Sequence, residues 1–241
     1  MRYGIFSDIH SNLEALEKVL AAYKDENIDA YFCLGDIIGY ATNPNECVKK
    51  VNELNCITIA GNHEWGSLDK LDLDYFNELA KIAIIWSKSK LTFDCKDYLE
   101  SLPLIYKEKD FILVHGSLDY PERFYYIFDE NDAEETLNLL ETNICFVGHT
   151  HKPGFFTKDE GRISYSTNSK LKIEKSKKYI VNVGSVGQPR DRDSRASFCI
   201  YDTKKQDVEI KRIDYEVKKT YDKIIDTGLP IFLAQRLLTG K

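Results

Sequence analysis

The 241-residue sequence predicts an α/β protein in which two sheets pack together under outer helices, as one domain over residues 1–241. The first half alternates short apolar runs with amphipathic segments, the pattern of parallel strands joined by helices. Past His151 the runs shorten, alternate apolar with polar and are divided by polar turns, which predicts an antiparallel meander forming the second sheet. No internal repeat, low-complexity tract or long linker divides the chain, and this length buries a substantial core as a single unit.

"RYGIF" opens as a strand, and Ser11-Asn12-Leu13-Glu14 after it has the form of a capping box. The helix it starts carries Leu13, Leu16, Val19, Leu20 and Tyr23 on one side. "AYFCLG" is the next strand, followed by a helix over residues 43–54 with Pro44 in its first turn, and then the strand "CITIAG". Phe76, Leu79, Ile82, Ala83 and Trp86 recur at helical spacing and predict a helix over residues 74–88. "LIYKEKDFILVHGS" reads as two strands with a tight connection, and "NDAEETLNLLE" as a helix feeding the strand "ICFVG". The meander comprises "GRISYS", "KLKIEK", "KYIVNV", "SFCIYD" and "DVEIKRI". Residues 217–240 read as helical pieces broken at Gly228-Leu229-Pro230.

With 33 basic against 39 acidic residues and a net charge of -6, the chain lacks a general electrostatic footprint for nucleic acid or anionic membrane. Its six cysteines form no C-x-x-C pair, and most lie in strand-like runs, as buried thiols of a reducing compartment do. No run approaches membrane-spanning length, and the start is a strand rather than a leader. The expectation is a cytoplasmic protein.

The apolar runs of the first two thirds end alike. "YGIFSDIH" supplies Asp8 and His10, "YFCLGD" Asp36, "CITIAGNH" Asn62 and His63, "FILVHG" His115, and "CFVGHTH" His149 and His151. Ligands of parallel sheets bind beyond the carboxyl ends of the strands, where loops converge. Ser7, Gly35, Gly61, Gly116 and Gly148 beside these positions permit sharp turns and close approach. Taken singly, Asp36 and Asn62 read as turn residues and His115 as a core group. Taken together, they account for all five histidines of the chain, which points to a metal site.

The order Asp-x-His, Gly-Asp, Gly-Asn-His-Glu, His-Gly and Gly-His-x-His, running from Asp8 to His151, resembles the calcineurin-like metallophosphoesterase superfamily. The later "NVGSVGQPRDRDSRASF" is similar to a segment of its small bacterial and archaeal members, which carry Asn-Pro-Gly-Ser where this chain has Asn182-Val183-Gly184-Ser185. The resemblance implies a four-layer α-β-β-α sandwich of two mixed sheets. It also implies two divalent metals, one held by Asp8, His10, Asp36 and His151, the other by Asp36, Asn62, His115 and His149, with Asp36 bridging. Manganese is the metal it implies; the donor set also suits Fe, Zn, Co or Ni. Two divalent cations, two carboxylates and a bridging hydroxide leave about +1, which attracts a phosphate ester. Hydroxide between the metals would attack phosphorus while His63 protonates the leaving oxygen as general acid; merely binding a phosphate oxygen is the alternative for His63. Glu64 reads either as a partner for an imidazole or as a solvated carboxylate.

Related protein phosphatases and bacterial diadenosine tetraphosphatases carry an arginine after Gly-Asp and another before Gly-Asn-His; "GDIIGYATNP" and "IAGNHE" have neither. The likeness is closer to the small phosphodiesterase-like branch, so a phosphodiesterase is expected. A dinucleoside polyphosphate hydrolase, a phosphomonoesterase and a non-catalytic scaffold like the retromer subunit are the alternatives. Tyr40 and Arg190 are candidates for substrate phosphate. Tyr120, Phe124, Tyr125, Tyr126 and Phe128 suggest a buried segment or a self-association surface before base stacking, so a homo-oligomer and a nucleotide both stand as partners. Lys170, Lys172, Lys175, Lys177 and Lys178 read as a solvated hairpin.

Overall fold

The computed structural model describes residues 1–241 and forms two six-stranded sheets. The first runs β3 (Ile57–Thr58), β2 (Ala30–Cys33), β1 (Arg2–Phe6), β11 (Ala196–Asp202), β12 (Asp207–Ile213), β9 (Lys170–Lys172). The second runs β4 (Ile105–Lys107), β5 (Phe111–Val114), β6 (Ile144–Val147), β10 (Lys178–Asn182), β7 (Gly154–Asp159), β8 (Arg162–Ser166). Within them β1, β2 and β3 are mutually parallel, as are β5, β6 and β10, and the other pairings are antiparallel. Both sheets are therefore mixed, as expected of the four-layer sandwich.

The inner faces meet over an aromatic core. Phe111 packs edge-on against Phe32 at 5.2 Å and Phe146 at 5.4 Å, and Tyr3 against Phe32 at 5.3 Å. Such pairs add about 0.5–1.5 kcal/mol each beyond their area burial. Outside the first sheet lie α1 (Leu13–Lys24), α2 (Pro44–Glu53) and α5 (Phe93–Glu100), burying Leu16, Val48 and Leu99 against Phe6 and Phe198. Outside the second lies α6 (Glu130–Leu139), with Ala133 and Leu137 on Cys145 and Ile180. The remaining helices α3 (Asn62–Ser67), α4 (Glu78–Lys90), α7 (Val217–Asp226) and α8 (Ile231–Gln235) sit toward the mouth of the strand-end crevice, where Ala80, Ala83, Ile224 and Leu233 cluster with Tyr40.

Several expectations need correction. The late strands do not make a sheet of their own: β9, β11 and β12 extend the first sheet, β7, β8 and β10 the second, and β10 lies parallel to β6. They cover edges that β1 and β6 would otherwise leave unpaired. "GFFTKD", absent from the expected strands, is β7. Ser11 does not cap α1, because its φ of +57° is not the extended backbone of a cap residue. Its Oγ instead accepts the Gly39 N–H (3.1 Å), while Asn12 Oδ1 accepts from Ala15 (3.2 Å) and Glu14 pairs with Lys223 (2.6 Å). The helix placed at 74–88 begins at Glu78, where Asn77 Oδ1 caps the Ala80 N–H (3.0 Å); Leu73–Tyr75 form one separate 3-10 turn behind Asp72. The short helices α3 and α5 lay outside the expected elements.

Candidate metal centre

Six parallel strands, three from each sheet, point their carboxyl ends into one crevice. The first sheet delivers Asp8 and His10 after β1, Asp36 after β2 and Asn62 after β3; the second delivers His115 after β5, and His149 and His151 after β6. All seven are buried. Asp8, His10, Asp36, His149 and His151 have φ between +49° and +65°, a region costly for residues with a Cβ and concentrated at functional sites. Gly148 makes the crossing possible, because a Cβ there would run into Ser7 Oγ and the Asp8 carboxylate.

The donor atoms fall into two groups. Asp8, His10, Asp36 and His151 can each offer one atom such that all lie within 4.8 Å of one another, and so can Asp36, His115 and His149. Asp36 belongs to both. His151 Nε2 lies 3.2 Å from Asp8 Oδ1, His10 Nε2 3.6 Å from Asp36 Oδ2, and His115 Nε2 3.3 Å from the same oxygen. Asn62 Oδ1 is buried with no hydrogen-bond partner, as is Asp8 Oδ1. Two buried acceptors left over in one crevice suit a cation.

The histidines are oriented to suit. Nδ1 of His10 faces Ile38 O (3.1 Å), Nδ1 of His115 faces Leu34 O (2.7 Å), and Nδ1 of His151 faces Gln188 O (2.6 Å). A carbonyl accepts only, so each Nδ1 carries its hydrogen and each Nε2 lone pair is aimed inward. Yet His10 Nε2 and His151 Nε2 stand 3.0 Å apart, and His115 Nε2 and His149 Nδ1 3.1 Å apart. Facing lone pairs at that distance require a proton or a metal between them. Burial alone would lower His115, but the Asp36 and Asp8 carboxylates outweigh it and raise the imidazole to about 9. Burial pulls His151 down to about 3 and His149 down as well. Burial would raise Asp8 and Asp36, yet the adjoining imidazoles hold both below the usual carboxylate range. A buried Asp/His cluster of this composition is compatible with divalent metals.

Glu64 has neither of its expected roles. It is fully buried and accepts four backbone N–H groups: Asp36 (2.7 Å) and Gly61 (2.8 Å) on Oε2, Ile37 (2.8 Å) and Ile38 (3.3 Å) on Oε1. It ties the start of α3 to the loop that presents Asp36. Burial and the Asp36 charge push it up to about 7, against the pull of those donors.

His63, Tyr40 and Arg190 share a cavity of about 430 Å³ with Asp36, Asn62, His149 and His151. The His63 ring is buried 4.6 Å from His10 and 4.7 Å from Tyr40, its Nδ1 without a partner. Burial, despite Asp36, lowers it to about 3. Arg190 stands 5.5 Å over the Tyr40 ring and donates to Gln188 Oε1 (2.8 Å). The aromatic segment after His115 splits: Phe124 is buried beside His115, whereas Tyr126 is partly exposed and stacks on His149 at 3.8 Å, with Phe128 stacked on Tyr126 at 5.1 Å. The lysine stretch is surface structure: Lys170 pairs with Asp207 and Glu209, Lys177 with Asp159 and Glu174, and Lys178 donates to Leu137 O and Leu140 O.

One segment singled out in the sequence without a role at the site contributes to it. The "NVGSVGQP" segment holds the site from behind. Asn182 Nδ2 donates to Gly148 O (2.7 Å), Ser185 Oγ to Asp8 O (2.8 Å), and Gln188 supplies the carbonyl facing His151. Its turn forms without the family's proline: Gly184 takes φ +74°, and the Val183 N–H donates to Val147 O (3.0 Å), a bond proline could not make.

A two-sheet sandwich that gathers buried carboxylates and imidazoles at its strand ends defines a metallophosphoesterase. The chain belongs to the calcineurin-like phosphoesterase superfamily, whose domain model matches residues 1–206. It is 44% identical over 242 residues to the uncharacterized protein MJ0912 of Methanocaldococcus jannaschii, covering 99% of this chain and 98% of that one. The crystal structure of a metallophosphoesterase from Sphaerobacter thermophilus superposes with a TM-score of 0.88 at 38% identity, covering 100% of this chain and 99% of the other. The hypothetical protein PH1004 of Pyrococcus horikoshii OT3 shares the fold, with a TM-score of 0.80 at 21% identity over 100% and 98% of the two chains. No helix is long and apolar enough to cross a membrane.

Proposed function

We propose that this protein is a phosphodiesterase that works with two divalent cations, one held by Asp8, His10, Asp36 and His151 and the other by Asp36, Asn62, His115 and His149. The observation that carries the reading is that the two donor groups share Asp36. The unpartnered Asn62 Oδ1 supports its inclusion. Bound there, such a pair lowers the pKa of water toward ~7 and takes up charge on phosphoryl oxygens. Manganese is the expected metal, with Fe, Zn, Co or Ni accommodated by the same donors.

The chain's own residues bind and orient. Arg190 and the Tyr40 hydroxyl hold the phosphate from the cavity side, and the aromatic walls supplied by Phe76, Tyr125 and Tyr126 cover an organic substituent. That half-apolar lining, and the absence of the two phosphatase arginines, favour a singly charged diester over a dianionic monoester. His63 is the general acid. It is neutral in the resting site; the negative phosphate arriving beside the ring raises its proton affinity, so that it takes up a proton from solvent and delivers that proton to the leaving oxygen. Its backbone N–H, donated to Asp36 Oδ1 (2.9 Å), fixes it to the shared carboxylate. The aqueous interior of a cell is the expected setting.

Manganese-loaded protein should hydrolyse bis-p-nitrophenyl phosphate faster than p-nitrophenyl phosphate or diadenosine tetraphosphate. No turnover of any of the three by folded protein with two metals bound would overturn the enzymatic reading and leave the scaffold. His63→Ala should lower kcat about 10²–10⁴-fold on a diester with an alkyl leaving group, and far less on one releasing p-nitrophenolate, which needs no proton. Equal losses on both would make His63 a phosphate ligand only.

A further inference from the structure

A second cavity of about 580 Å³ adjoins the first and meets it at Arg190, which lines both. Its walls carry Lys152, Arg190, Arg192 and Arg212 against one carboxylate, Asp191, in a protein whose net charge is -6. The pairing pattern in the run Arg190-Asp191-Arg192-Asp193-Ser194-Arg195 leaves selected cations free. Asp193 is taken by Arg195 (2.7 Å) and Asp191 by Arg212, so neither Arg190 nor Arg192 has a carboxylate within reach. Lys152 has no carboxylate partner either; it lies 5.5 Å over the Phe128 ring. The Arg190 Nε is buried without any acceptor, as is the Nε2 of neighbouring Gln188.

The arm that carries these cations is fixed in place. Arg192 holds φ at +70°, its N–H donates to Gly240 O (2.7 Å), and the Arg190 N–H donates to His151 O (3.2 Å). The rest of the wall sets the hydroxyl and amide groups of Thr167, Asn168 and Ser169 beside Pro153, Tyr165 and Ile210. Unpaired guanidinium and ammonium groups set beside neutral donors suit phosphate oxygens, and Arg190 links this wall to the proposed reaction centre.

We propose that this basic cavity is a second anion subsite, and that the substrate is a phosphoester whose retained organic group bears another phosphate. The reacting phosphoryl group sits at the Asp/His cluster, Arg190 lies between, and the second phosphate is received by Lys152 and Arg192. This deepens the phosphodiesterase reading and rests on it for the position of the reacting group.

The test uses two esters differing by one group: thymidine 5′-(p-nitrophenyl phosphate) and the same ester with a 3′-phosphate. In the wild-type, manganese-loaded protein the 3′-phosphate should lower KM about tenfold at similar kcat, an advantage that shrinks in high salt. The exposed double variant Lys152→Ala/Arg192→Ala should lose that advantage while hydrolysing the simpler ester as before. Calorimetric titration of thymidine 3′,5′-bisphosphate against thymidine 5′-phosphate reads the same preference without turnover. Equal KM for the two esters together with equal affinity for the two nucleotides, or a preference that survives the double variant, overturns the subsite. Failure to cleave either ester with the binding preference intact instead defeats the phosphodiesterase reading and leaves the subsite standing.

Discussion

Glu64→Gln isolates one carboxylate that supports the candidate metal centre from behind. The glutamate receives two N–H groups on each oxygen, from Asp36 and Gly61 on one and from Ile37 and Ile38 on the other. An amide keeps only one acceptor oxygen and turns its own N–H groups toward the pair left behind. Two buried donors then go unsatisfied, at about 1–3 kcal/mol each, or about 2–6 kcal/mol together. Removing a buried charge that also repels Asp36 offsets part of this, so a net loss of about 2–4 kcal/mol is expected. For a chain of this size each kcal/mol lowers Tm by about 2–4 °C. Urea unfolding of the metal-free variant, with an unchanged m-value, measures the loss directly. Metal stoichiometry should fall as well, because the donors hold the loop presenting Asp36. An unfolding free energy within about 0.5 kcal/mol of wild type, with two metals still bound, would refute the role assigned to Glu64.

The pH dependence of metal uptake follows from His115. In metal-free protein it keeps its proton up to about 9, so a metal must displace that proton at lower pH, and apparent affinity should rise about tenfold per unit until levelling near 9. Chelator competition from pH 6.5 to 9.5 checks this, and a flat profile contradicts it. The same raised value gives the metal-free fold stability that is complete below about 6.5 and lost as pH rises through about 9, seen as a falling denaturation midpoint. Gly148→Ala should abolish metal binding and destabilise the fold as well, by about 1–3 kcal/mol, since the added Cβ meets the buried Asp8 and Ser7 side chains; elemental analysis of the protein that remains folded, with thermal unfolding, decides it. Val183→Pro restores the family's usual residue but removes the N–H donated to Val147 O, and should destabilise by about 1 kcal/mol in thermal unfolding with two metals retained.

The site residues were legible because each is attached locally to the end of a parallel strand, and a strand is written in a few consecutive residues. Asp8-x-His10 and His149-x-His151 could be read without knowing which sheet either belonged to. Strand partnership was not legible. "KYIVNV" alternates like any meander strand, and only three-dimensional pairing sets it parallel to "ICFV". Helix starts were misread for two local reasons: Asn12, next to Ser11, takes the cap of α1, and residues 73–75 form a separate 3-10 turn behind Asp72 before Asn77 caps α4. Glu64 was misjudged because its partners are backbone amides 26 to 28 residues upstream as well as Gly61, groups without a signature in the sequence. Tyr126 on His149 is likewise a contact made only by the folded loop.

The β1 strand lies between β2 and β11, and the Val186 and Gly187 amides hold the backbone of Ser7 and Asp8. The amino-terminal strand therefore waits for residues near the far end of the chain before its aspartate is fixed. During synthesis, the Asp8 side of the donor set is left unheld until the last third of the chain emerges from the ribosome. Filling of the whole donor set would then mark completed assembly, and a fragment lacking either face would not pass for the finished protein.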